Sequence, residues 1–417
     1  MPNCLSPTDK YFLKFSPNKE NYSLLQMCHV LERLGSFHLT LPVIHVAGTN
    51  GKGSVCAMLT AILKEAGYRV GTYTSPHLLT VRERISLHGV SISEAALVDI
   101  VEKYQSYFEG LSYFEVITLC AFLYFAQSNV DIIILETGMG GRLDATNICQ
   151  PLVTAITNVG WDHMHHLGYS LEAILKEKAG ICKKNTPLVT GIVEDTLREI
   201  LKQNVGSLDI PIYFLNDDFS YELTHHSYPH KNNFEYYSPN VKFSMDELSW
   251  WTTYHGKNAA LAMKVVELLK EQNFPVSYES IEKGFKTYYW PGRMEIMNQN
   301  PLVIFDCAHN EHGAHELAHS LKTYYGGRHT VFLIAISKDK EWHKMLQIFS
   351  DISHDIYVVP YAQDRSWDVA CAPSKFKRFS SIKEGYQQIL STMGKDDLLC
   401  LTGSIYAVAE AKQSLCD

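Results

Sequence analysis

Short runs of uninterrupted apolar residues recur along this chain, each followed by a turn and then by residues at helical spacing. The first is Val43–Ala47, bounded by Pro42 and Gly48. From Ser54 onward Val55, Met58, Leu59, Ile62 and Leu63 fall on one helix face, and Gly67 stops the pattern. Further runs occupy 130–135 (VDIIIL), 152–157 (LVTAIT), 302–305 (LVIF), 331–336 (VFLIAI), 355–359 (DIYVV) and 398–402 (LLCLT). These runs lack the apolar–polar alternation of a half-exposed strand. They suit parallel strands covered by helices on both faces. With helical segments between them, such as 258–272, the pattern predicts an α/β doubly wound architecture.

Tyr288-Tyr289-Trp290-Pro291-Gly292-Arg293 breaks this rhythm, and a fresh strand–helix alternation begins at Pro301. The boundary is placed there, giving a large domain over 1–290 and a smaller one over 291–417. Residues 216–253 are polar, aromatic and irregular. They suit either a small β-excursion or long loops, and the pattern leaves both open.

Length agrees with this division, since 417 residues suggest two to three domains. A net charge of −8 argues against nucleic-acid binding driven by charge. An apolar content of 46% excludes a largely disordered chain. No uncharged apolar stretch is long enough to span a bilayer, and Met1–Ser6 lacks the basic-then-apolar pattern of a secretory leader. The ten cysteines are scattered singly without a CxxC pair, as reduced thiols in a cytoplasmic protein would be.

The densest chemistry lies in Gly48-Thr49-Asn50-Gly51-Lys52-Gly53-Ser54, between a buried strand and a helix. Glycines let backbone N–H groups converge on phosphates, and the helix start adds a positive dipole end. Lys52 supplies charge and Ser54 a hydroxyl, although Gly53 intervenes where the common GxxxxGK[ST] loop has none. The plain alternative is a glycine-rich turn. Glu136 closes a buried strand at the sheet edge where ligands bind, and its carboxylate suits a hard cation. It also suits a backbone hydrogen bond. His163 follows another strand. His165 and His166 beside it invite a zinc reading, yet no cysteine partners accompany them. Lys176-Glu177-Lys178 reads by itself as a solvated helix face. Asp306 ends the strand 302–305, and Arg293 and Asp306 bracket the domain junction, where a hinge salt bridge is the alternative role. Asn258 stands where a helix N-cap is a fair competitor.

The loop GTNGKGS resembles the ATP loop of the Mur ligase superfamily. YTSPHLLTVRERI (73–85), FEVITLCAFLYF (114–125), ILETGMGGRLDATN (134–147), TNVGWDH (157–163), ILKEKAGI (174–181), WPGRMEI (290–296), DCAHNEHG (306–313) and TGS (402–404) narrow the likeness. Together they resemble the folylpolyglutamate synthase and dihydrofolate synthase family. The match is strong from about 38 to 320 and weaker beyond.

That resemblance implies an N-terminal P-loop ATPase domain, a C-terminal Rossmann-like domain and an active site between them. It implies that ATP meets Thr49, Asn50, Gly51, Lys52, Gly53, Ser54, Asn258, Arg293 and Asp306. Two magnesium ions would be held by Ser54, Ser75, Glu136, His163 and Lys178, the last carried as a carbamate. Lys52, Lys178 and His309 would take part in the reaction, His309 near the γ-phosphate or the incoming amino acid. Thr74, Phe114, Glu115, Leu143, Asp144 and Ala145 would meet the pterin substrate. His165 and His166 would be surface residues. The expected reaction adds L-glutamate to dihydropteroate, to reduced folates such as tetrahydrofolate, or to both, through an acyl phosphate. The protein would act as a monomer on small molecules, without nucleic acid or membrane. Thr252-Thr253-Tyr254-His255 departs from the family's Gly-x-His-Gln before Asn258. A peptidoglycan-type Mur ligase, a non-ligating P-loop NTPase and an inactive paralogue are the competing readings.

Overall fold

The computed structural model describes residues 6–15, 23–226, 231–249 and 252–415. The leader reading of residues 1–5 lies outside them. The first sheet has eight strands: β1 (Val43–Ala47), β2 (Val70–Tyr73), β3 (Ile85–Leu87), β4 (Val90–Ser91), β5 (Ile132–Glu136), β6 (Val153–Ile156), β7 (Leu188–Thr190) and β8 (Ile212–Phe214). Their order is β4-β3-β2-β5-β1-β6-β7-β8. Pairing is parallel from β2 to β8, with β3 and β4 antiparallel at one edge.

β5 shows why its sequence carries no alternation. Ile132 and Ile134 join one core with Met58, Leu59 and Ile62 of the helix Lys52–Glu65. Ile133 and Leu135 join another, with Val116, Leu119 and Phe122 of the helix Tyr113–Gln127. Successive side chains face opposite ways, and both faces are roofed.

Within 216–253 the chain forms a three-stranded antiparallel sheet, β9 (Ser220–His226), β10 (Lys231–Tyr237) and β11 (Lys242–Ser249), in the order β11-β10-β9. The β-excursion is therefore the correct one of the two open readings. Phe234, Tyr236, Phe243 and Met245 point into the core shared with the helix Lys52–Glu65.

The remaining sheet holds β12 (Glu295–Gln299), β13 (Leu302–Phe305), β14 (Thr330–Ile334), β15 (Ile356–Val358), β16 (Lys377–Arg378) and β17 (Leu398–Thr402), ordered β12-β13-β17-β14-β15-β16. All are parallel except the edge strand β12.

The helix foreseen at 258–272 starts earlier and spans Thr253–Glu271. Thr252 caps it, its backbone N–H donating to His255 Nδ1 at 3.1 Å and its hydroxyl lying 2.9 Å from the same atom. Asn258 therefore sits inside the helix, and the N-cap alternative for it falls away. The helix Tyr278–Thr287 leads into the junction. Its Gly284 rests directly on the helix Lys52–Glu65, where an added Cβ would lie 2.5 Å from Ile62 Cα. Among the described residues no helix is long and apolar enough to cross a membrane.

Candidate active site

The C-terminal ends of the central strands β1, β5 and β6 open onto a cavity of about 470 Å³. Its opposite wall belongs to the second large sheet and carries Ser337, Lys340, Arg365, Ser404 and Tyr406.

The phosphate-type loop is braced by a second loop, Thr157 to Gly160. The Thr157 hydroxyl donates to Asn50 O at 2.6 Å, and Gly160 N donates to Thr49 Oγ1 at 2.9 Å. Asn158 Oδ1 accepts from both Thr49 N (3.2 Å) and Asn50 N (2.9 Å). Those two amides are spent on the protein. Among the described residues, the first-turn amides of the helix Lys52–Glu65 are without a backbone partner and remain to face a phosphate. Gly51 adopts φ 85°, and a Cβ there would meet Asn258 Oδ1 at 2.5 Å. The loop thus touches Asn258 on one side. On the other, Gly53 lies under the Trp290 ring, 2.8 Å from where a Cβ would be. Lys52 Nζ donates to Gly48 O at 3.1 Å and Thr49 O at 3.2 Å, which holds the ammonium over the loop.

Glu136 is 4% exposed and accepts from Ser75 N at 3.0 Å. Burial raises its carboxyl above the ordinary value, with Lys52 the largest opposing influence. Among the described residues the buried Ser75 hydroxyl has no hydrogen-bond partner, an orphan beside a carboxylate. His163 adopts φ 51° and lines the cavity. Although its side chain is still 40% exposed, the partial loss of water around it lowers its imidazole to about 4 against the pull of Asp162, leaving it neutral at pH 7 with a lone pair to offer. Glu136, the Ser75 hydroxyl and a neutral imidazole fit a hard cation that keeps other ligands from water or phosphate. The zinc reading of 163–166 does not fit. His165 turns to Tyr169 OH at 2.7 Å, and His166 lines the cavity wall.

Lys178 overturns its reading as a solvated residue. Lys176 is exposed and Glu177 bonds Arg142 at 2.8 Å, but Lys178 is 2% exposed and lines the cavity. Burial, then the nearby Lys52, pulls its amine from 10.5 to about 7.

Asp162, which sequence reasoning passed over, is the crossing point between the two large sheets. It takes Lys340 Nζ at 2.5 Å, Asn310 Nδ2 at 2.9 Å and approaches His309 Nε2 at 3.4 Å. Although burial opposes it, His309, His163 and Lys340 hold this carboxyl far below the usual range. His309 Nδ1 lies 2.9 Å from Cys307 O, which orients the ring. The buried Asp306 accepts from Ala308 N (2.8 Å), Met294 N (2.9 Å) and Tyr254 OH (3.2 Å). Tyr254 stands in the departing segment, and its hydroxyl braces Asp306. A smaller adjoining cavity of about 70 Å³ brings Gly51, Ser54, Asn258, Arg293, Asp306 and His309 together.

Of the residues assigned to the pterin, Phe114, Glu115, Leu143, Asp144 and Ala145 line the large cavity. Thr74 is buried behind Ser75, its N–H donating to Arg84 O at 3.0 Å. Two carboxylates in this wall already have protein partners. Glu115 accepts from Ser112 N and Oγ, both at 2.7 Å. Asp144 accepts from Gly138 N, Met139 N, Thr146 N and Thr146 Oγ1 at 2.6–3.0 Å. Both shape the wall.

Comparison with known proteins agrees with this layout. The Mur ligase middle domain matches residues 46–266, and the Mur ligase glutamate ligase domain matches residues 292–405. The dihydrofolate synthase/folylpolyglutamate synthase of Bacillus subtilis is 32% identical over 408 residues, covering 94% of each chain. The chain belongs to the folylpolyglutamate and dihydrofolate synthase family of Mur ligases. A solved Escherichia coli member in complex with DHPP and ADP superposes with a TM-score of 0.88 at 29% identity, covering 98% of this chain and 96% of that one. A bifunctional member with Mn, AMPPNP and L-glutamate bound superposes at 0.87 and 29% identity, covering 99% and 98%.

Proposed function

We propose that this protein is an ATP-dependent ligase that adds L-glutamate to dihydropteroate, to reduced folates such as tetrahydrofolate, or to both. One observation carries the reading. The braced phosphate loop, the orphan Ser75 hydroxyl beside Glu136 and the cationic, hydroxyl-rich wall of the second sheet open on a single cavity of about 470 Å³. A nucleotide, an acid and an amine can meet there. The two sheets are read as two domains, 1–290 and 291–417, that close on this cavity.

The substrate carboxylate attacks the γ-phosphate to give an acyl phosphate, and the amine of glutamate then displaces phosphate. The protein mostly positions and neutralises. Lys52 and Arg293 face the phosphates, Ser54 and the loop amides hold them, and Asn258 and Asp306 fix the nucleotide. Phe114, Glu115, Leu143, Asp144 and Ala145 frame the pterin, backed by Thr74. His309 and the Lys340 wall face glutamate. Ser54, Ser75, Glu136 and His163 would hold magnesium, which when bound neutralises charge on the phosphoryl oxygens. A second ion would use Lys178, where carbon dioxide adds to the neutral amine and a proton leaves, giving a carbamate anion. An amine pulled to about 7 supports that reading. Buried free thiols such as Cys56, Cys120 and Cys400 support a reducing cytoplasm, and the protein is read as a monomer.

Purified protein with ATP, magnesium, glutamate and either dihydropteroate or tetrahydrofolate should yield a product heavier by one glutamyl residue in mass spectrometry. ADP released without any such product from either acceptor would leave the plain NTPase reading standing.

A further inference from the structure

Asn310 joins three elements that lie far apart along the chain. It is 4% exposed and stands at the start of the helix Glu311–Tyr325, where its Oδ1 accepts from Gly313 N at 2.8 Å. Its amide also forms a reciprocal pair with Asn50 of the phosphate-type loop, each Nδ2 donating to the other's Oδ1 at 3.1 Å. The same Asn310 Nδ2 donates to Asp162 Oδ2 at 2.9 Å. Asp162 in turn holds Lys340 and adjoins His163. Asn50 Nδ2 adds a further bond to His312 Nδ1, on the helix that Asn310 caps.

Capping accounts for only part of this. A cap needs one acceptor, and Ser, Thr or Asp supplies it as well as Asn. Only a primary amide can serve the cap, donate to a buried carboxylate and pair with a second amide at once. Asn50 is likewise turned across the interface, not inward over the loop. The C-terminal helix is therefore tied to the loop expected to hold phosphate and to the turn that carries His163.

We propose that Asn310 is a positioning residue for ligation, setting the second sheet's face against the phosphate loop and the Asp162 turn. This rests on the ligase reading above. The Lys340 wall and the loop must approach correctly for the amine to reach the acyl phosphate, and Asn310 fixes their register from outside the reacting atoms.

Two variants test it beside the wild type in the same ligation assay. Asn310→Ser keeps a capping oxygen and removes the amide. Asn310→Asp keeps the cap acceptor and sets a carboxylate against Asp162. Loss of a buried hydrogen bond to a charged group predicts a fall in kcat of about 10- to 100-fold for both. The pterin KM should move less than about threefold, because Asn310 does not line that wall. Thermal melts of Asn310→Ser should stay within a few degrees of the wild type, since the cap survives, whereas the buried like-charge contact in Asn310→Asp should lower its melt further. Wild-type kcat in Asn310→Ser would overturn the proposal. So would a pterin KM rising as far as kcat falls, the mark of a generally loosened cleft. Should Asn310→Asp fail to fold, Asn310→Ser decides. An inactive wild type would instead refute the ligase reading itself.

Discussion

Replacing Lys178 by Met should make the protein more stable and unable to ligate. The folded state holds this amine near 7 where a free lysine stands at 10.5. At ~1.4 kcal/mol per pH unit that gap is about 5 kcal/mol. The sign follows from proton counting. Between 7 and 10.5 the unfolded chain binds the proton and the folded chain does not, so stability rises with pH across that window. The penalty is fully present below pH 7 and gone above 10.5. Met removes it at every pH, so the variant's advantage should be about 5 kcal/mol at pH 6.5, about 3 at pH 8 and about 1 at pH 9.5. Denaturant melts of both proteins in buffers stripped of carbon dioxide measure this directly. Adding bicarbonate should narrow the gap, because a modification confined to the folded state stabilises it by mass action. A gap that stays constant with pH, or favours the wild type, would refute the burial argument. Ligation by the Lys178→Met variant without additives would refute the carbamate.

Lys52→Ala should lower turnover by on the order of 10²-fold while leaving thermal melts unchanged, as loss of a charge contact made in the transition state does. Gly53→Ala pushes a methyl to 2.8 Å from the Trp290 ring, an overpacking cost of about 1–3 kcal/mol. It should raise the KM for ATP by roughly 5- to 100-fold, and a smaller residue at 290 should recover most of it. Steady ADP release should need pterin and glutamate together, because a closed cleft keeps water from the acyl phosphate. Equal rates without pterin in a coupled ATPase assay would contradict that.

The sheet cores were legible because strands such as β5 and β13 are roofed on both faces and need unbroken apolar sequence. β2, β7 and β8 went unread because three or four residues, with Gly71 or Tyr213 among them, make too short a run. The β9–β11 sheet hid behind charges. Phe234 and Tyr236 alternate with Asn233, Glu235 and Tyr237, a period of two broken by a bulge near Asn232. The helix start at Thr253 was obscured because Thr252 and His255 cap through side chains that resemble loop residues. Asn158, Asp162 and Asn310 lie inside segments that carry the family likeness, yet nothing in their spacing gave any of them a role of its own. What they do depends on which loops the two sheets bring face to face, and spacing along a chain does not encode that.

The backbone contact between Gly284 and Ile62 restricts where the molecule can bend. Two helices this closely packed leave little room to slide or tilt independently. The phosphate helix and the helix Tyr278–Thr287 would then tend to move as one unit ending at Thr287. Any swivel of the second sheet is left to Tyr288 through Met294, seven residues that include Pro291, Gly292 and the tryptophan seated on Gly53. Were the second sheet to swivel there, its pivot would share a surface with the phosphate loop, and a ligand that displaced the loop would push on that pivot.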